Sequence, residues 1–150
     1  MKDSLVLKGH GYFERRRKDG SKIDSWETSN LIVTAGKVQV AKLLNGVDVV
    51  PFDTIAIGTG ETGDTVVVGD TTLKTEVARS VATLAYEATA KATFEYTFSF
   101  GTVEVYAITE AGIFNDQSAG GEMLDRFVFA EKNVDVDTDL YVKITILASA

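Results

Sequence analysis

The stretch from Phe52 to Gly63, Phe-Asp-Thr-Ile-Ala-Ile-Gly-Thr-Gly-Glu-Thr-Gly, runs an apolar segment straight into a glycine turn, an arrangement that can cradle phosphate. Its glycines fall on Gly58, Gly60 and Gly63, so G-x-G-x-x-G comes directly after Ile55-Ala56-Ile57. A dinucleotide site also needs a helix opening at the last glycine, so that backbone N–H groups and the helix dipole meet the pyrophosphate. The residues after Gly63 are instead Asp64-Thr65-Val66-Val67-Val68-Gly69-Asp70, β-branched and then turn-like. Read as a P-loop, the same span places Asp64 at the lysine position, where it would repel the phosphate it should neutralise. The expectation is a buried strand that leaves the core through a glycine-dependent turn, with no cofactor.

Other chemistry fares no better. Asp135-Val136-Asp137-Thr138-Asp139 has the opening spacing of a calcium loop. Leu140 stands where that loop needs glycine and Ile146 where it needs a bidentate glutamate, so an EF-hand is excluded. An acidic turn between strands is expected, with a looser surface calcium site as the alternative. The pairs Glu104 with Glu110 and Glu87 with Glu95 have the residue types of a glycosidase pair, but nothing in their spacing marks them out. His10 is the only histidine and there is no cysteine, so a thiolate nucleophile and a multi-histidine metal site are both excluded. No catalytic, cofactor-binding or metal-ligating residue is assigned, and the protein is expected not to be an enzyme.

The elements that position these residues belong to one compact domain, since 150 residues with 45% hydrophobic content bury a core without staples. No signal peptide or membrane span is expected, because the apolar run Leu5-Val6-Leu7 is short and bounded by charge and nothing later approaches the length of a span. Residues 1 to 30 carry seven Lys or Arg against five Asp or Glu, and the rest eight against seventeen; +2 and −9 sum to the net −7. Such an acidic body argues against nucleic-acid binding. The basic cluster Arg15, Arg16, Arg17, Lys18 alternates faces if it lies in a strand, so it makes no single patch. Docking on an acidic partner and a solvated hairpin arm are the two readings of it.

Lys18-Asp19-Gly20 between Tyr12 to Arg17 and Ser21 to Thr28 predicts a hairpin, and residues 1–28 are read as an N-terminal hairpin arm on a sandwich domain at 29–150. One helix is predicted from Ala35 to Asn45, with Thr34 as N-cap, Asn45-Gly46 as the stop, and Val40, Ala41, Leu43 and Leu44 on its buried side. Asp70 to Glu76 is read as one helical turn, with Glu76 and Arg79 paired at its end. Lys91 to Phe100 alternates perfectly, with Ala92, Phe94, Tyr96, Phe98 and Phe100 on one face, and Leu140, Val142, Ile144 and Ile146 repeat the pattern. Val103 to Thr109 and Leu124 to Ala130 read as further strands. The fold predicted is mainly β, an antiparallel, jelly-roll-like β-sandwich of about eight strands with one short α-helix.

Four segments in order, Ile55-Ala56-Ile57-Gly58-Thr59-Gly60, Leu73-Lys74-Thr75-Glu76-Val77-Ala78-Arg79, Ile108-Thr109-Glu110-Ala111-Gly112-Ile113-Phe114-Asn115 and Met123-Leu124-Asp125-Arg126, resemble small virion proteins of tailed bacteriophages. The likeness covers about Asn30 to Leu147 and is similar in particular to the N-terminal domain of phage tail-collar fibre proteins and to small proteins of head and tail modules. The resemblance implies a β-rich, late-expressed virion component, made in the bacterial host cytoplasm, that binds copies of itself and neighbouring proteins. A collar fibre continues into a long shaft, whereas this sequence stops at Ala150, so a compact addition to the particle is expected.

The function expected is thus capsid decoration, or cementing, through contacts with the major capsid protein or other virion proteins and with itself, as a trimer on a local symmetry axis. A tail or collar component is the alternative. Partner-contact candidates are Arg15, Arg16, Arg17 and Lys18, and the run Val66-Val67-Val68, which either faces a partner or tucks into its own core. A more remote reading is a carbohydrate-binding sandwich, with Trp26, Tyr12 and Tyr141 as sugar platforms converging with two carboxylates on one groove.

Overall fold

The computed structural model describes residues 4–61 and 63–149. Met1 to Asp3 of the N-terminal segment, Thr62 of the glycine turn and Ala150 lie outside the described residues. Among the described residues the chain is mainly β. The strands are β1 (Val6–Arg17), β2 (Lys22–Ser29), β3 (Leu31–Ile32), β4 (Thr54–Gly58), β5 (Glu76–Val81), β6 (Thr83–Glu87), β7 (Lys91–Phe98), β8 (Tyr106–Phe114), β9 (Met123–Val134) and β10 (Thr138–Ser149). A single helix, α1, spans Thr34–Asn45. One antiparallel sheet has the order β2-β1-β10-β7-β6 and the other β3-β9-β8-β4-β5. The two form the predicted sandwich with ten strands instead of about eight, because the two-residue β3 and the exposed β6 leave little hydrophobic pattern to read. First and last strands lie side by side, as in a jelly roll, while four sequence-adjacent pairs are hydrogen-bonded neighbours.

The predicted hairpin is present, with Gly20 at φ 87° in its turn, a left-handed value that glycine adopts without a Cβ penalty. It is an integral part of its sheet. All twelve residues of β1 pair with β10, and Phe13, opposite Val142, has no solvent exposure. Trp26 stacks on Phe13 at 5.4 Å and packs on Phe129, so β2 covers the main core from its flank. That core lies between the sheets and takes Phe94, Phe98, Phe100, Leu140, Val142, Ile144 and Ile146, the residues that alternation nominated.

The helix closes one end of the sandwich. It ends as predicted, at Gly46 in the left-handed region (φ 73°), whose N–H reaches the Leu43 carbonyl while that of Val47 reaches Lys42. Its start differs. Val33, not Thr34, is the N-cap, without a side-chain bond, because neighbouring elements accept the orphan donors: Val33 N–H donates to Leu124 O and Thr34 N–H to Val68 O. Gly36 lies so close to β9 that a Cβ there would come within 2.4 Å of the Leu124 carbonyl oxygen. This approach turns Gly36 and Gln39 inward, with Val40 and Leu43 on the core, and leaves Ala41 and Leu44 exposed, contrary to the predicted face.

Two further expectations are corrected. Asp70 to Glu76 forms no helical turn; it is irregular and leads into β5, where Glu76 and Arg79 do pair. Val103 and Val105 precede β8 and are exposed, since Glu104 turns the chain there by accepting the Gly101 N–H.

Candidate functional site

The most heavily built polar cluster lies on the side of the β4-β8-β9 sheet that faces away from the other sheet. Arg126 on β9 has no solvent exposure and contacts three carboxylates, Asp64 at 2.7 Å, Glu110 at 2.8 Å and Asp70 at 3.1 Å. Glu110, on the neighbouring β8, is equally buried. Its carboxylate accepts backbone N–H bonds from Gly60, Lys74 and Thr75 at 2.9 to 3.1 Å, as well as both Arg126 donors. Asp70 also accepts the Val67 N–H, and the Thr109 hydroxyl donates to the Gly60 carbonyl. The segment between β4 and β5 is therefore strapped across the sheet by a single ionic centre. Burial works against the charged Arg126 guanidinium, but its bonds to Asp64, Glu110 and Asp70 prevail and hold its pKa above the ordinary value. The Arg126 hydrogen bond in turn draws the Asp64 carboxyl below the usual carboxylate range.

This geometry accounts for Gly58 and Gly60, both packed against the Glu110 carboxylate. The loop does gather backbone N–H groups around an anion, and the anion is the protein's own Glu110. Gly58 is required by the crowding, because a Cβ there would lie 2.5 Å from the Thr75 carbonyl oxygen and 2.6 Å from Glu110 Oε2. A second knot adjoins it: Arg79 pairs with Glu76, donates to the Asp116 and Gly120 carbonyls, and sits 4.4 Å over the Phe114 ring. A small apolar cluster of Val33, Ala56, Leu73, Phe114 and Met123 fills the space beneath. All four segments that carry the bacteriophage resemblance thus converge on one lock. Chain order alone could not show that Glu110 and Arg126 meet.

One residue along from Arg126, and so directed to the opposite face, Asp125 is also fully buried. It accepts the Ile113 N–H and the Asn30 side-chain amide, and burial pushes its pKa up to about 7. Among the described residues the Asn30 Oδ1 has no hydrogen-bond partner. Sequence reasoning passed over both residues because an Asp-Arg pair in a strand ordinarily marks a wet face.

The partner-contact candidates are dispersed. Arg15 forms a two-point pair with Asp24 and donates to the Asn133 carbonyl, Arg16 pairs with Glu14 and lies 3.9 Å over the Tyr141 ring, and Lys18 pairs with Asp139. Arg17 is exposed beside Ser21 and Lys22. Val67 and Val68 are 54% and 53% exposed, and Val66 is half-buried. Val38, Leu44, Val47, Val49 and Val50, on or just after the helix, are exposed as well.

The sugar platforms do not converge. Trp26 lies on the core side of its sheet against Phe13, whereas Tyr12 and Tyr141 pair on the outer face, with Arg16 covering the Tyr141 ring. In the acidic turn, Asp135 accepts the Asp137 N–H and Asp139 is held by Lys18. Glu87 and Glu95 flank Lys143, at 3.2 and 3.7 Å. Among the described residues no cluster of three or more His, Cys, Asp or Glu side chains is placed to hold a metal ion, and no helix is long and apolar enough to cross a membrane.

No protein-family model matches this sequence, and no curated protein matches it.

Proposed function

We propose that this chain is a non-enzymatic virion structural protein of a tailed bacteriophage, a capsid decoration subunit that cements the particle by contacts with the major capsid protein and with its own copies. The reading rests on the sequence resemblance, and one observation supports it best. The segments that carry the resemblance are spent on fixing a loop, and that loop presents Val67 and Val68 to solvent while the Val68 carbonyl accepts the Thr34 N–H at the start of α1. A rigid loop with exposed aliphatic side chains suits a permanent protein contact, where apolar burial outweighs the repulsion between acidic subunits.

The test is labelling of the protein on purified particles of its phage, followed by electron microscopy. Regularly spaced label on the head is expected, and replacing Val67 and Val68 by Asp is expected to reduce occupancy while circular dichroism stays unchanged. Label confined to the collar or tail would move the assignment there. Particles that lack the protein altogether would overturn the reading.

A further inference from the structure

We propose that β6 is a self-pairing edge, through which two copies of this chain join their sheets antiparallel about a twofold axis at Ala85. Each of the two sheets ends in two open edges: β2 and β6 in one, β3 and β5 in the other. Open edges are ordinarily blunted by charge, shortness or bulges, since their free N–H and C=O groups recruit other strands. Three of these edges are blunted. β2 carries Lys22, Asp24 and Glu27 and its pairing slips between Arg15 and Arg16. β3 has two residues. β5 carries Glu76 and Arg79, the latter tied to two carbonyls, and its pairing slips between Ile57 and Gly58.

β6 has none of these defences. Thr83-Leu84-Ala85-Tyr86-Glu87 pairs with β7 over five residues without a slip, contains no Lys, Arg or Pro, and every residue is exposed. Its one charge, Glu87, is held by Lys143 at 3.2 Å. Leu84 stands opposite buried Phe94 and Tyr86 opposite Ala92, so the core face of the sheet runs on to an uncovered edge. Tyr86 is 74% exposed there.

The occupant that fits is a second copy. Antiparallel pairing centred on Ala85 sets Ala85 against Ala85 of the second copy, Leu84 against its Tyr86 and Thr83 against its Glu87. No like charges meet, and the aliphatic–aromatic pair forms twice. An in-register parallel pairing would bring the two Glu87 side chains together. The contact is isologous, so it closes on two chains and joins two five-stranded sheets into one. It deepens the self-association in the proposed function, and is additional to any threefold contact on a capsid lattice.

The chain contains no cysteine, so introduced thiols report this register alone. Ala85→Cys is expected to form a disulfide-linked dimer under mild oxidation. Leu84→Cys and Tyr86→Cys are each expected to form no disulfide cross-link when oxidised separately and to cross-link when mixed. By sedimentation, Ala85→Lys is expected to weaken dimerisation about tenfold through the opposed like charges, and mixing it with Ala85→Glu to restore it. A folded Ala85→Cys chain that stays reduced, or a Lys and Glu mixture no tighter than either alone, would overturn the pairing. The two proposals fail separately: cross-linking by a protein absent from virions removes only the function, and virion binding by a chain that never cross-links removes only the contact.

Discussion

Arg126 and the run from Arg15 to Lys18 show two ways of placing cations in one sandwich. Arg126 has no other cation next to it in the chain and meets three carboxylates with no exposure, whereas Arg15, Arg16 and Lys18 meet one each at partly exposed sites. Four consecutive cations look like a concentrated field, but strand alternation and the turn spread them apart, and Arg15, Arg16 and Lys18 each find a separate local counter-ion. The concentrated electrostatics belong to the isolated arginine, because burial lowers the dielectric around it and makes every partner obligatory. Clustering along the chain is thus a poor guide to clustering in space.

The largest expected effect separates the basic strand from its charges. Removing residues 1–28 takes away the whole of β1 and nearly all of β2, including Phe13, so the truncated chain is expected to lose its cooperative urea transition and not merely a partner contact. Next, Glu110→Ala leaves Arg126 without its most buried partner and three N–H groups without an acceptor, and is expected to cost about 3–5 kcal/mol in urea denaturation. A cost under about 1 kcal/mol, the scale of exposed pairs, would break the comparison.

The neighbouring carboxyl gives a smaller, pH-dependent effect. Asp125 has an ordinary value of 3.8 and is pushed up to about 7 in the folded chain. Between those values the folded state keeps a proton that the unfolded state has lost, so stability falls as pH rises through that window and levels off above it. Asp125→Asn should abolish this fall, leaving the variant more stable than the parent by on the order of 1–3 kcal/mol at pH 8 relative to pH 4. Rotation of the Asn30 amide would supply its unpartnered Oδ1 to the new side chain. Glu14, Asp24 and Asp64, all drawn below the usual range, give the opposite slope at lower pH, so the difference between the two proteins is the quantity to read. Last, Arg15→Ala and Arg16→Ala are each expected to cost about 0.2–1 kcal/mol. If either matched Glu110→Ala, the contrast between lone and clustered cations would fail.

Strands with one wet face were readable from sequence. β7 and β10 alternate because one side meets the core and the other meets solvent, and the Asp-Gly turn announces the first hairpin. β8 and β9 were harder, since the strapped loop covers the face that another sheet would leave wet. Glu110 and Arg126 therefore sit at positions where alternation suggests solvent, and only their pairing across the strands reveals the cover. The available signal was Glu110 as the one charge of β8 and Arg126 in the largely apolar first half of β9. Tertiary bonds also displaced the local cap rule at Thr34, because Leu124 and Val68 supply the acceptors that a cap side chain would provide. The exposed β6 carried almost no hydrophobic signal, although its Leu84 and Tyr86 continue the core face.

The place of β10 in its sheet sets an order on synthesis. β10 lies between β1 and β7, so on the ribosome the first hairpin must wait with one edge open until the last strand has emerged. The other sheet is complete once β9 has been made, and can form while translation continues. Chains truncated before Thr138 are accordingly expected to protect the β8 and β9 amides from hydrogen exchange while those of β1 remain open. Closing the sandwich is then a single late step that joins β1 to β10.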